Sequence, residues 1–201
     1  MPEKLLFASN NAGKISEIRF ILDHLPFQLV TPADLSLILT VKEDGATYFE
    51  NALLKAQAFF DATGLITLAD DSGLEVAVLN GAPGIQSNRF APILNATDGD
   101  RRSYLLEQLA SQSRPWHATF HCEIVIIDQT GQVSRSHGSC AGEIIPEERG
   151  TGGFGYDPIF YIPEWHATMA ELGEGVKNRI SHRANALKAA MPALMRIFEC
   201  G

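Results

Sequence analysis

The sequence predicts an α/β domain built on a mixed sheet, and three observations carry that reading. Short apolar runs alternate with segments of helical period. One pair of runs, 118–127 and 133–142, flanks Asp128-Gln129-Thr130-Gly131, a hairpin signal that calls for an antiparallel pair. The composition, 45% hydrophobic and 20% charged over 201 residues, is that of a globular chain able to bury a core without staples. Such a length favours a single domain, with room for two lobes.

Each element follows in order. Leu5 to Ala8 is a short apolar strand, and Ser9 to Gly13 a polar loop. From Lys14, the residues Ile15, Ile18, Ile21, Leu22 and Leu25 keep helical spacing. Gln28 to Thr31 is a second strand, stopped by Pro32. The clearest helix is Thr47 to Ala62: Phe49, Ala52, Leu53, Ala56 and Phe60 share a face, Thr47 and Glu50 form a capping box, and Gly64 closes the end. Ile66 to Ala69 reads as a strand entering a turn at Asp70-Asp71-Ser72-Gly73, and Leu74 to Leu79 as the strand leaving it. Asn80 to Gly84 is a loop, Asp100 to Leu109 a helix, and Gly150 to Gly155 a glycine-rich loop from which Pro158 to Phe160 extends. A final helix is expected over Lys177 to Ala190, with Pro192 kinking it or starting a short last one.

Charge and cysteines exclude several function classes. Asp and Glu total 24 against 16 Lys and Arg, a formal net charge of −8. Gripping a nucleic-acid polymer takes many Lys/Arg–phosphate contacts, so no such partner is expected. Anionic membrane surfaces are disfavoured for the same reason, and no apolar run approaches a spanning length. Cys122, Cys140 and Cys200 share no C-x-x-C spacing, which points to reduced thiols rather than disulfides or zinc. The opening residues lack a signal-peptide core. The cytoplasm is therefore the expected compartment, and Asn95-Ala96-Thr97 a chance glycosylation match.

Four segments can carry chemistry. Ser9-Asn10-Asn11-Ala12-Gly13-Lys14 sits between strand and helix, where backbone N–H groups and a lysine suit phosphate, although an ordinary turn would look the same. It is not a Walker A loop, because Ala8 and Ile15 stand where Gly and Ser/Thr belong. Glu43, Glu50, Asp70 and Asp71 are hard oxygen ligands of the kind Mg²⁺ takes. As a set they favour a metal, while Glu50 alone is better explained by the capping box. Gly150 to Gly155 matches G-x-G-x-x-G, but Pro158 prevents a helix from opening, so dinucleotide binding is rejected. Its Phe154 and Tyr156 can stack on a base and Asp157 can accept base hydrogen bonds; the other reading is a turn whose aromatics join the core. In Lys177 to Arg183, helical spacing would put Arg179, His182 and Arg183 on one face, either meeting an anionic ligand or simply solvated. There is no G-x-S-x-G and no Cys evidently partnered with His, so nucleophilic catalysis has little support.

In chain order these segments resemble the inosine triphosphate pyrophosphatase family, which hydrolyses ITP, dITP and XTP. The matching stretches are 8–14 with Glu17, Tyr48 to Ala52 with Lys55-Ala56, Ala69 to Leu74, Gly81 to Gly84, Gly153 to Phe160, and Ser181 to Ala184 with Ala186-Leu187. Each is weak by itself; together they span almost the whole chain. Asn88, Phe90 and Pro92 around Arg89, and Val176 before Lys177, depart from the family pattern.

The resemblance implies an elongated mixed sheet with flanking helices, one domain over 1–201 folded as two lobes around a central cleft, and a homodimer. It implies that Ser9, Asn10, Asn11, Ala12, Gly13 and Lys14 hold a triphosphate, with Lys55 as a further cation. Glu43 and Asp71 would serve Mg²⁺, Asp71 would also activate water, and Ser72 would contact substrate. Phe154, Gly155, Tyr156, Asp157, Lys177, His182 and Arg183 would embrace the nucleotide, mostly its purine. The expected reaction gives a monophosphate and pyrophosphate. Two rivals are a Maf-like pyrophosphatase of other specificity, which would want S-x-R-R after the first strand, and a non-catalytic nucleotide sensor, which would tolerate loss of Asp71. The acidic balance fits a single triphosphate, which needs only a local reversal of sign from Lys14, Lys55, Lys177, Arg179 and Arg183.

Overall fold

The structure, a computed structural model, describes residues 3–199. Cys200, one of the thiols noted above, lies outside the described residues. The order is β1 (Lys4–Phe7), α1 (Ala12–Leu22), β2 (Gln28–Val30), α2 (Tyr48–Thr63), β3 (Ile66–Val76), β4 (Pro83–Gly84), α3 (Asp98–Leu109), β5 (Trp116–Ile127), β6 (Val133–Ile144), β7 (Phe160–Ile162), β8 (Ala167–Thr168), α4 (Gly173–Ile180) and α5 (His182–Glu199). The strands form one sheet in the order β2-β1-β3-β5-β6-β7-β8, with β4 beside β3. β1 pairs parallel with β2 and β3, whereas β4, β7 and β8 pair antiparallel, so the sheet is mixed as expected.

The chain divides into two compact units. The first takes residues 1–71, 122–138 and 183–201, the second 72–121 and 139–182. In the first unit strand alternation feeds two apolar clusters. Leu5, Phe7, Leu68, Ile124 and Ile126 pack with Ile18 and Leu22 of α1 and Leu187, Ala190 and Leu194 of α5. Leu6, Ala8, Ala69, Val125 and Ile127 pack with Ala52, Ala56 and Phe59 of α2. The second unit has its own core, in which Leu105 and Leu109 of α3 meet Trp116, Phe120, Tyr156, Ile159 and Phe160.

Helix ends follow their caps. Asn11 caps α1 by accepting the Lys14 N–H at 3.0 Å, and Thr47 caps α2 by accepting the Glu50 N–H at 3.1 Å. Glu50 reaches back to the Ala46 N–H at 2.6 Å. α3 starts two residues before the expected Asp100, because Thr97 and Asp100 form a reciprocal capping box.

Three expectations change. Asp70-Asp71-Ser72-Gly73 is not a turn: β3 runs straight through, since Leu74 and Glu75 pair with β4 and cations neutralise the aspartates. That pairing turns part of the expected 80–84 loop into β4, while Ala77 to Leu79 forms a turn of 3₁₀ helix rather than strand. The last helix is two, not one. Ser181 is extended (ψ 159°) and its N–H closes on the Lys177 carbonyl at 2.9 Å, so Arg179 lies in the last turn of one helix while His182 and Arg183 begin another. Helical spacing alone therefore does not put these three on one face. α5 then continues through Pro192.

Candidate active site

The site begins with the alternation of β3. In a strand, neighbouring side chains point to opposite faces. Asp70 follows Ile66 and Leu68 to the α1/α5 face, and Asp71 follows Ala69 to the α2 face. Placing two aspartates side by side in sequence thus separates their charges in space.

Asp70 is saturated by cations. Lys14 Nζ lies 3.1 Å from its Oδ1 and 3.0 Å from its Oδ2, and Arg183 Nε donates to Oδ2 at 3.1 Å. Arg183, 1% exposed, also pairs with Glu17 of α1. Burial pushes the Asp70 carboxyl up, but Lys14, Arg183 and Lys55 outweigh it and hold it well below the usual carboxylate range. Cys122 lies on this face, its thiol pushed far up by burial and by Asp70. Such a thiol is inert as a nucleophile.

The α2 face is arranged differently. Asn51, 1% exposed, accepts the Gly45 N–H at 2.9 Å and donates to Asp71 Oδ2 at 3.2 Å. This amide ties the loop carrying Glu43 to Asp71. Gly45 must be small here, because a Cβ would stand 2.6 Å from Glu50 Cβ. Lys55, one turn after Asn51, lies 2.9 Å from Glu43 Oε2 and 3.6 Å from Asp71 Oδ1. Two carboxylates from distant segments thus face one ammonium. Burial raises the Asp71 carboxyl; Lys55 and Lys14 pull it down, Glu43 and Asp70 push it up, and the net direction is upward. For Lys55, burial lowers the ammonium but Asp70, Asp71 and Glu43 raise it further.

The Ser9 to Lys14 loop leads from β1 into α1. Ser9 Oγ accepts the Asn11 N–H at 3.2 Å, while Asn10, Asn11 and Ala12 are exposed and Gly13 is half-buried. Ser72, half-buried, follows Asp71 in β3.

The second unit holds the aromatic group. Gly153 and Gly155 are left-handed (φ +72° and +62°), and a Cβ on Gly153 would stand 2.1 Å from Asp157 Oδ2. That close approach lets Asp157 accept the Phe154 N–H at 2.8 Å while pairing with Lys177, both partners being buried. Lys177 Nζ lies 4.7 Å from the Phe154 ring centre. Tyr156 is buried among Leu105, Ile159 and Phe160, with its hydroxyl on the Ser87 carbonyl at 2.9 Å. His182 stacks on Phe120 at 4.6 Å with 12° between the rings.

The chain matches the Ham1 family over residues 5–193 and belongs to it. A dITP/XTP pyrophosphatase of Desulforamulus reducens is 44% identical over 197 residues, covering 97% of either chain. A dITP/XTP pyrophosphatase of Thermus thermophilus is 45% identical over 191 residues, covering 94% of this chain and 91% of its own. The solved structure of a HAM1 protein from Coxiella burnetii aligns with a TM-score of 0.86 at 41% identity, covering 96% of this chain and 99% of that one.

Several supporting residues escape a reading of the sequence. Asn51 lies inside a matched motif, yet nothing in its spacing shows that it bridges Gly45 and Asp71. Glu17 and Arg183 are 166 positions apart, so only the packing of α1 against α5 pairs them.

Proposed function

We propose that the chain hydrolyses deaminated purine nucleoside triphosphates, ITP, dITP and XTP, to the monophosphate and pyrophosphate. The observation that carries this is the Glu43–Lys55–Asp71 cluster on the α2 face, in a chain of the Ham1 family. The similarity to the dITP/XTP pyrophosphatases of D. reducens and T. thermophilus supports dITP and XTP among these substrates.

Asp71 is the base. Its raised carboxyl can accept the proton of a water attacking the α-phosphorus, as a positioned carboxylate does. Asn51 fixes its orientation. The Ser9 to Lys14 loop takes the triphosphate, where Asn10, Asn11 and Ala12 are exposed and Gly13 half-buried at the N-terminus of α1. Lys14 and Lys55 offset phosphate charge. Ser72 contacts the substrate beside Asp71. Phe154, Gly155, Tyr156, Asp157, Lys177, His182 and Arg183 take the purine end. Donors aimed at a 6-keto oxygen are left unpaired by a 6-amino purine, which gives the preference its physical basis.

Glu43 and Asp71 would hold Mg²⁺. Their carboxylates converge on one cationic atom, and among the described residues no group of three or more His, Cys, Asp or Glu is gathered. Two carboxylate ligands suit a hard cation that completes its shell with water and phosphate. Bound there, the ion would offset negative charge on the phosphate oxygens. The chain works as one domain over 1–201, forms a homodimer and acts in the cytoplasm. Among the described residues no helix is long and apolar enough to cross a membrane.

The test is turnover of ITP, XTP, GTP and ATP with Mg²⁺, with product identification. IMP and pyrophosphate from ITP, and much slower use of ATP, are expected. Stepwise release of orthophosphate without pyrophosphate would overturn the proposal.

A further inference from the structure

Gly155 is gripped on both of its backbone groups by one turn of α3. Asp98 Oδ2 accepts the Gly155 N–H at 2.8 Å, and Arg102 Nη1 donates to the Gly155 carbonyl at 2.8 Å. Residues four apart on a helix lie one above the other, so the two side chains converge on the same glycine. The guanidinium is itself held: Arg102 Nε and Nη2 meet Glu148 Oε1 and Oε2 at 2.8 and 2.9 Å. Such a bidentate fork fixes the plane of the group as well as its position. Asp98 is also paired with Arg101. Residues 98, 102, 148 and 155 all belong to the second unit.

The glycine so held stands between the residues assigned to the purine. Phe154 precedes it, and Tyr156 and Asp157 follow. A left-handed glycine in a loop is a point where the backbone has much freedom to lose. With both its N–H and its carbonyl fixed to a helix, that freedom is removed before any ligand arrives. Ordering a loop in advance lowers the cost of binding and sharpens the placement of polar groups.

We infer that Asp98 and Arg102, with Glu148 behind them, are positioning residues for purine recognition. They act through Gly155, keeping Phe154 and Asp157 at the geometry that distinguishes one purine from another, and touch neither phosphate nor reacting atoms. This inference rests on the assignment of Phe154 to Asp157 to the purine.

The experiment uses the full chain with Asp98→Ala, Asp98→Asn, Arg102→Ala and Arg102→Lys. It measures kcat and KM for ITP and ATP, and calorimetric binding of IMP and of pyrophosphate. Losing one backbone-directed hydrogen bond is expected to raise KM for ITP and weaken IMP binding about tenfold in the alanine variants. Their kcat for ITP and their pyrophosphate affinity should stay within about twofold of the parent, and the preference for ITP over ATP should narrow. Asp98→Asn, which keeps an acceptor oxygen for the Gly155 N–H, should restore most of the loss. Arg102→Lys keeps the charge and one donor but not the fork, so it should fall between parent and alanine even if Arg102→Ala does not fold. Equal weakening of IMP and pyrophosphate, a fall in kcat at constant KM, or no change in Arg102→Lys and Asp98→Ala would overturn the inference. Failure of the parent chain to hydrolyse ITP would instead overturn the proposed function.

Discussion

The two faces of β3 carry the same residue type and opposite electrostatics. On the α1/α5 face Asp70 is enclosed by Lys14 and Arg183, and its proton is driven off far below the usual range. On the α2 face Asp71 shares one lysine with Glu43, and its carboxyl is raised. A carboxylate saturated by two cations is a poor base, because the same cations that hold it ionised oppose protonation. A carboxylate raised first by burial, with a second carboxylate beside it, is a better base. The difference teaches that strand alternation can give two adjacent identical residues opposite electrostatic surroundings.

The largest effect expected from breaking this comparison is on turnover. Asp71→Asn should lower kcat by about 10³-fold or more, the scale of losing a positioned base. Its melting temperature at pH 7, without added divalent metal, should equal or exceed that of the parent. The sign follows from the raised carboxyl: the fold disfavours the Asp71 anion, so removing it relieves a cost. Near-normal turnover would take Asp71 out of the mechanism.

The opposite face should answer in stability. Arg183→Ala leaves Asp70 and Glu17 buried with one cation fewer, and urea unfolding should show a loss of about 3–5 kcal/mol. The same face should also govern acid sensitivity. Asp70 is held below its unfolded value, so its contribution is present above about pH 4 and disappears as the pH falls further. A parent chain that melts at the same temperature at pH 7 and pH 3 would contradict the asymmetry.

The smallest effect sharpens the α2 face alone. Gly45→Ala puts a Cβ 2.6 Å from Glu50 Cβ and 2.9 Å from Asn51 Oδ1, which must shift the loop carrying Glu43. The Mg²⁺ concentration giving half-maximal turnover should rise about tenfold, typical of disturbing support behind a metal ligand. kcat at saturating metal should change little. A fall in kcat with no change in metal requirement would place Gly45 outside the ligand-bearing loop's role.

Much of this was legible in the residues. The helical periods of α1 and α2, the caps Thr47 and Gly64, and the 128–131 turn are local signals, and local physics is enough to read them. Asp70-Asp71-Ser72-Gly73 misled because its composition is that of a turn. Strand pairing at Leu74 and Glu75 and cations from α1, α2 and α5 override that preference. Ser181 is the opposite case: it is neither Gly nor Pro, and the one local sign of the break between α4 and α5 is that Ser is a residue type favoured just before a helix.

The sequence by itself determined the α/β class, the acidic balance, and the motif set by which the chain resembles the inosine triphosphate pyrophosphatase family. These depend on residue type and short spacing. Only the tertiary structure decided that Asp70 and Asp71 face apart, that Asn51 bridges Gly45 to Asp71, and that Arg183 closes on Glu17 and Asp70. The physical reason is range. A period of two or of 3.6 residues is written along the chain, but a charge acquires its proton affinity from groups that only folding brings within a few ångströms.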